Sequence, residues 1–193
     1  MFSTDHEEFR EFIKMMMGNR PECHGIQHVE QVEFLSYKLA KYYPGADTVI
    51  LMAAALGHDL WDRKFEPDPE PIIEVFKEQL RKFMTSEQIS KTMDAINTHS
   101  WSKGLHPNSI EGMIIQDADR ITGIGATGIL RAATYGSQFN RTFNETVDHL
   151  IIKCLKLRDQ LNLPESKQMA TEGHELLLSF VELYKKEVPS FES

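Results

Sequence analysis

Residues 49 to 57, VILMAAALG, are apolar on every face, and the run ends on His58 and Asp59. A helix with no polar stripe has no side to give to water, so it belongs in the middle of a domain with other elements packed around it. The rest of the chain must therefore supply those elements. The same run carries two ionisable side chains into the interior at its end. A buried carboxylate without a partner is costly, so something cationic should meet Asp59. Asp47, just before the run, is a suitable N-cap.

The flanking patterns are helical too. Thr4 with Glu7 reads as a capping box, followed on one face by Phe9, Phe12, Ile13 and Met16 until Gly18 ends the helix. Val32, Leu35 and Leu39 form the stripe of a second helix that stops before Pro44-Gly45, and His28 continues that stripe inward. EPDPEP is a loop, after which Ile72 to Met84 reads as an amphipathic helix. Ser86 begins the next, through Ile89, Met93 and Ile96 to His99. Ser109 caps a helix through Met113 and Ile114 to Asp117 and Asp119, and Gly123, Gly125 and Gly128 then let backbones approach closely. Thr146 to Leu161 and Ser166 to Lys186 are further helical stretches, separated by Pro164. No segment alternates strictly, so no strand is expected and the fold class is all-α.

Length and composition narrow the function classes. The chain has 193 residues with no internal Pro/Gly/Ser-rich linker, which predicts one domain over 1–193. A hydrophobic fraction of 41% and a charged fraction of 26% are ordinary for a globular protein. The opening MFSTDHEEFREF has neither a basic nor an apolar leader region, and no apolar run reaches the roughly eighteen residues of a membrane span. Cys23 and Cys154 are far apart without metal-type spacing, which fits a reducing cytoplasm. A net charge of −8 without a Lys/Arg block argues against nucleic acid as a partner. A phosphate-bearing small molecule would need a metal and a few local cations, and a homodimer is left open.

The chemistry lies in His28, His58, Asp59 and an Asp of the 117/119 pair. Imidazole with carboxylate suits Zn²⁺, Mn²⁺, Fe²⁺, Co²⁺, Ni²⁺ or Mg²⁺, and such an ion makes a nucleophile of water. Other readings exist. A histidine on an apolar face is commonly a hydrogen-bonded core residue, and Asp59 could pair with Arg63 or Lys64 a turn later. The second of these leaves His58 unexplained. Periodicity does not choose between Asp117 and Asp119, and one of them could pair with Arg120.

H-x-x-x-H at His24 and His28, AAALGHDLWDRKF, and IIQDADRITGIGATGILR, in that order, resemble the HD-domain metal-dependent phosphohydrolases. HD-x-x-D-x-K-F from His58 to Phe65, THSWS from Thr98, QDADR and the tail DHLIIKCLKLRDQLN are similar to the small single-domain bacterial branch called YpgQ/YedJ-like. The likeness runs from about residue 21 to residue 186, with the motifs in about 21–135 and C-terminal helices over about 146–186. It implies a helical bundle of the HD type, with His28, His58, Asp59 and Asp119 as metal ligands. It thereby selects Asp119. It also implies hydrolysis of nucleoside triphosphates, deoxynucleotides foremost, to the monophosphate and pyrophosphate. The chain departs from close relatives at Thr122-Gly123, where they carry D-A, and at His24-Gly25, where they carry H-D.

Two imidazoles are softer than Mg²⁺ prefers, so Mn²⁺ or Co²⁺ comes first and Mg²⁺ next. Asp62, three after Asp59 on the same helical face, could orient or deprotonate the attacking water, or pair with Arg63 or Lys64. Lys64 could meet phosphate as a point charge, or be a solvated lysine. His99 could ligate a second metal or bind phosphate, since some HD families place a histidine there. His24 shares the spacing of His28 but lies at the departure. Arg131 and Tyr135, one turn apart, could contact phosphate and base or sugar. His6, His106 and His174 read as surface residues. Guanosine tetraphosphate or a nucleoside monophosphate are alternative substrates, a nucleotide-sensing module without turnover is another class, and a purely structural bundle a third.

Overall fold

The computed structural model describes residues 4–18, 20, 24–62 and 65–188, with only the backbone of Ser102. The described residues form helices and turns without strands, as the patterns predict, and no helix among them is long and apolar enough to cross a membrane. The chain divides into two compact units, Met1–Ala118 and Asp119–Ser193.

In the first unit, α1 (Thr4–Met17) buries Phe9, Ile13 and Met17 and ends at Gly18, whose φ of 55° is the left-handed conformation glycine adopts without cost. Thr4, expected as the cap, is already inside this helix, and Met17 rather than Met16 is buried. α2 (Ile26–Ala40) buries Val32, Leu35 and Leu39 with His28, as its stripe requires. α3 (Thr48–Gly57) is buried continuously from Ile50 to Gly57. Asp47 caps it, its Oδ1 accepting from the Val49 and Ile50 amides at 2.9 and 3.3 Å. α1, α2 and α5 all pack on this helix, so it is the core element its composition demands.

α4 (Glu70–Leu80) starts two residues before the predicted helix and ends four residues earlier. Pro71 sits in its first turn, where a missing amide costs nothing and the fixed φ favours the helix. Its Phe76 lies against Phe9 and Trp61, at ring separations of 5.7 and 5.2 Å. A Cβ on Gly57 would come within 2.4 Å of the Phe76 ring, so the end of α3 must be glycine for α4 to pack there. α5 (Ser86–His99) has the predicted bounds, and Thr85 forms a capping box with Gln88. α6 (Ile110–Thr122) is capped by Ser109, which accepts from the Gly112 amide at 3.0 Å.

The second unit contains α7 (Gly125–Gln138), a helix the sequence pattern did not mark, although it did expect the glycines here to bring backbones close. They are there for space. A Cβ on Gly128 would fall 2.3 Å from the Gly123 carbonyl oxygen, and Gly125, at φ 76°, lies against the backbone of Gly173. α8 (Phe143–His149) begins three residues before the predicted Thr146, at a Thr142–Glu145 capping box. It runs on through a π turn (Leu150–Cys154), α9 (Leu155–Leu157) and a 3-10 turn to Gln160. The predicted 166–186 stretch is two helices, α10 (Pro164–Met169) and α11 (Thr171–Glu187), and Pro164 opens the first instead of lying outside it. Ala132, Val147, Leu150, Cys154, Leu177 and Val181 make an apolar core.

Candidate metal centre

The end of α3 delivers the centre. His58 is the helix C-cap, and beyond it the Leu60 amide donates to Gly57 O at 3.1 Å and the Asp62 amide to Asp59 O at 3.2 Å. These are three-residue turns, tighter than an α-helix. Asp59 and Asp62 are therefore brought together by a turn and not, as their spacing suggested, by one helical face. Arg20 fixes this turn, its two terminal nitrogens donating to Asp59 O at 2.6 Å and Leu60 O at 2.7 Å. A guanidinium is suited to the carbonyls that a helix end leaves without amide partners.

The imidazoles are preset. The Nδ1 of His58 lies 2.7 Å from the Ala55 carbonyl, and the Nδ1 of His99, the last residue of α5, lies 2.5 Å from that of Ile96. A carbonyl only accepts, so both Nδ1 atoms carry hydrogen, and in the neutral ring each Nε2 is left with a lone pair. His58 Nε2 is 3.1 Å from His28 Nε2, and Asp59 Oδ2 is 3.4 Å from His28 Nε2 and 3.7 Å from His58 Nε2. Neighbouring ligands about 2.1–2.2 Å from an octahedral ion stand about 3.0 Å apart, so this triangle is close to one face of a coordination shell. The lone pair on His58 Nε2, facing His28 Nε2 in a closed site, needs a proton or a cation between the rings. The residues fit a divalent metal.

Asp59 is the hub. Burial pushes its carboxyl up, but His58, the His24 hydrogen bond and the charges of His28 and His24 outweigh that and hold it well below the usual carboxylate range. His24 Nδ1 lies 3.2 Å from Asp59 Oδ2, and His99 Nε2 lies 4.0 Å from Oδ1. The donor atoms of His58, Asp59 and His99 lie within 4.8 Å of one another, as do those of His24, Asp59 and Asp62. Side-chain exposure grades outward, from 1% and 0% at His28 and His58 to 16% at His24.

Of the residues singled out from the sequence, the first unit thus gathers His24, His28, His58, Asp59, Asp62 and His99. Asp119, Arg131 and Tyr135 belong to the second unit. Asp119 is half-buried and its backbone carbonyl accepts from Thr122 Oγ1 at 2.7 Å, while Asp117 is fully buried. Arg120 donates to the Gln160 carbonyl and Arg131 to Thr122 Oγ1. Tyr135 stacks on Phe139 at 4.3 Å, with the Arg141 guanidinium 4.9 Å from its ring. Cys23, Arg63 and Lys64 lie outside the described residues. Of the three histidines read as surface residues only His106 is exposed; His174 is half-buried, and His6 is half-buried with its ring edge-on to Phe83 at 5.6 Å. The sequence reading had no place for Arg20, since a single arginine in NRPE carries no pattern. It discounted His24, although the four-residue spacing to His28 was the available signal.

The HD-domain family model matches residues 25–124, more than half of the chain, and spans His28, the His58-Asp59 pair and Asp119. The chain is 29% identical to the protein YpgQ of Bacillus subtilis over 97% of its own length and 95% of that protein. The crystal structure of Bacillus subtilis YpgQ in complex with ADP superposes with a TM-score of 0.81 at 26% identity, covering 96% of this chain and 99% of that one. An HD-superfamily hydrolase from Bacillus thuringiensis gives a TM-score of 0.74 at 28% identity, covering 94% and 95%. With a histidine–aspartate cluster able to hold a divalent ion at the end of its most buried helix, the chain belongs to the HD-domain family, as a YpgQ-like member of its hydrolases.

Proposed function

We propose that this chain hydrolyses nucleoside triphosphates, deoxynucleotides foremost, to the nucleoside monophosphate and pyrophosphate. The observation that carries the reading is the buried triangle of His28 Nε2, His58 Nε2 and Asp59 Oδ2, with His58 preset by a backbone hydrogen bond. Asp119 is the fourth ligand in this proposal, on its position in the H, HD, D order of motifs. The ion, Mn²⁺ or Co²⁺ by preference, supplies Lewis acidity and lowers the pKa of water. The ADP bound to YpgQ supports a nucleotide as ligand.

The chain's own groups do the rest. Asp62, half-buried and within 4.8 Å of the Asp59 and His24 donors, orients the attacking water and takes its proton. The water oxygen bonds to the α-phosphorus, the bond from that phosphorus to the oxygen bridging to the β-phosphate breaks, and pyrophosphate leaves. His99 presents its Nε2 beside Asp59 and contacts a phosphate oxygen. Lys64 is assigned to the leaving phosphates, Arg131 to a phosphate, and Tyr135 to the base or sugar.

Purified protein with Mn²⁺ and a panel of nucleotides tests this. The expected result is pyrophosphate in step with the monophosphate, fastest from a deoxynucleoside triphosphate. Release of orthophosphate alone, or turnover of guanosine tetraphosphate or a monophosphate in preference, overturns the substrate assignment while leaving the hydrolase.

A further inference from the structure

We infer that Gln116 is a positioning residue for the hydrolysis: it pins the loop from Thr98 to Leu105 and so holds His99 against the substrate's phosphate. This rests on the reading that His99 contacts a phosphate oxygen. Gln116 lies on α6, fully buried in a stretch with Ile114, Ile115 and Ala118. Its Nε2 donates to Thr98 O at 2.7 Å and to Leu105 O at 2.9 Å. Both partners are carbonyls, which only accept, so the nitrogen end of the amide faces them and both of its hydrogens are used. Burying an amide is costly unless it is bonded, and an apolar side chain would fill the same space, so the residue is there for those two bonds.

The two carbonyls bracket the loop. α5 ends at His99, and a helix end leaves its last carbonyls without amide partners. Side chains meet three of them in turn: His99 Nδ1 donates to Ile96 O at 2.5 Å, Lys103 Nζ to Asn97 O at 3.3 Å, and Gln116 Nε2 to Thr98 O. The first two bonds are local, whereas Gln116 reaches in from another helix. Beyond His99 the turn bonds of the loop are long, 3.3 Å from the Lys103 amide to Ser100 O and 3.2 Å from the Gly104 amide to Trp101 O. Lys103, Gly104 and Leu105 are exposed. An exposed segment with weak internal bonds is placed by what grips its ends.

His99 takes its position from this grip. Its Nδ1 bond leaves Nε2 facing Asp59 Oδ1 at 4.0 Å, with the ring 5.0 Å from that of His58. A displaced Thr98 carbonyl carries the His99 backbone with it, and a shift of about 1 Å at a substrate contact can cost about a hundredfold in rate.

Two substitutions test the inference on the full chain. Q116M keeps the volume and removes both donors, and Q116N keeps the donors on a side chain one methylene too short to reach both carbonyls. Each should lower kcat/KM for pyrophosphate release from a deoxynucleoside triphosphate by about tenfold or more, yet by less than about twofold when added to H99A. Each should also keep the tight Mn²⁺ of the wild type. A second readout needs no turnover: nitrogen-15 NMR of the metal-free protein should show His99 as the single Nδ1–H tautomer in the wild type and as an exchange-averaged ring in both variants. An equal loss of kcat/KM in the two backgrounds, or a His99 ring unchanged in both variants, makes Gln116 structural only and overturns the inference. H99A turning over at the wild-type rate removes the role of His99 and this inference with it, while pyrophosphate release by that variant leaves the proposed reaction standing.

Discussion

At the end of α3 burial is given to histidines and an aspartate, whereas around Cys154 in the second unit comparable burial is given to Ala132, Val147, Leu150, Leu177 and Val181. The apolar cluster gains from every atom it removes from water, about 25 cal/mol per Å². The polar cluster loses: His28, His58 and Asp59 give up hydration and recover it only from one another, from backbone carbonyls and from an ion. Replacing buried ionisable groups by apolar ones of like volume is often neutral or stabilising. A cluster kept in spite of that cost belongs to function, and the apolar one to stability.

Exchanging the two kinds of damage breaks the comparison most sharply. His58→Ala or Asp59→Ala should lower turnover by about three orders of magnitude or more, with the helical circular dichroism and a cooperative melt retained. Retained turnover in either variant contradicts the assignment. Leu177→Ala should do the reverse, costing about 3 kcal/mol of unfolding free energy as a cavity opens, while one tight Mn²⁺ per chain remains. A loss of metal without loss of stability in that variant would erase the distinction.

Acidification sharpens it further. Asp59 is held below the ordinary carboxylate range, so its contribution is present above about pH 3.9 and is lost only as the pH falls through its lower folded value. A proton and a divalent ion compete for the same imidazole lone pair, and a protonated ring cannot ligate. Mn²⁺ affinity should therefore fall as the solution is acidified, by about tenfold or more before the apo fold is lost. A flat profile would mean that imidazole is not a ligand. The smallest effect belongs to Cys154, whose thiol burial pushes above its usual pKa. In a Cys23→Ser background it should react with a disulfide reagent only on unfolding, and rapid labelling of the native protein would show the second core to be looser than its packing implies.

The sequence made the core helix and its ionisable end legible for the same reason: an all-apolar run with a cap before it and His-Asp after it has few other ways to fold. The stripe of α2 placed His28 correctly because one inward face is a local property of 3.6-residue spacing. What it could not show depends on chain reversal. Asp62 reaches Asp59 by a turn of 3-10 type, Arg20 reaches two carbonyls some 40 residues away, and neither relation leaves a period. The close approach expected of the glycines around α7 was legible while the helix itself was not, and the π turn at Leu150–Cys154 interrupts a stretch whose composition is uniformly helical. Asp119 over Asp117 came from family resemblance, since both lie on one helix at spacings that fit.

The most direct test of the central claim is a crystal structure of the protein grown with Mn²⁺ and measured at the manganese absorption edge. The account predicts an anomalous peak about 2.0–2.3 Å from His28 Nε2, His58 Nε2 and a carboxylate oxygen of Asp59. A peak elsewhere, or these side chains hydrogen-bonded to one another with no ion between them at saturating Mn²⁺, would contradict it.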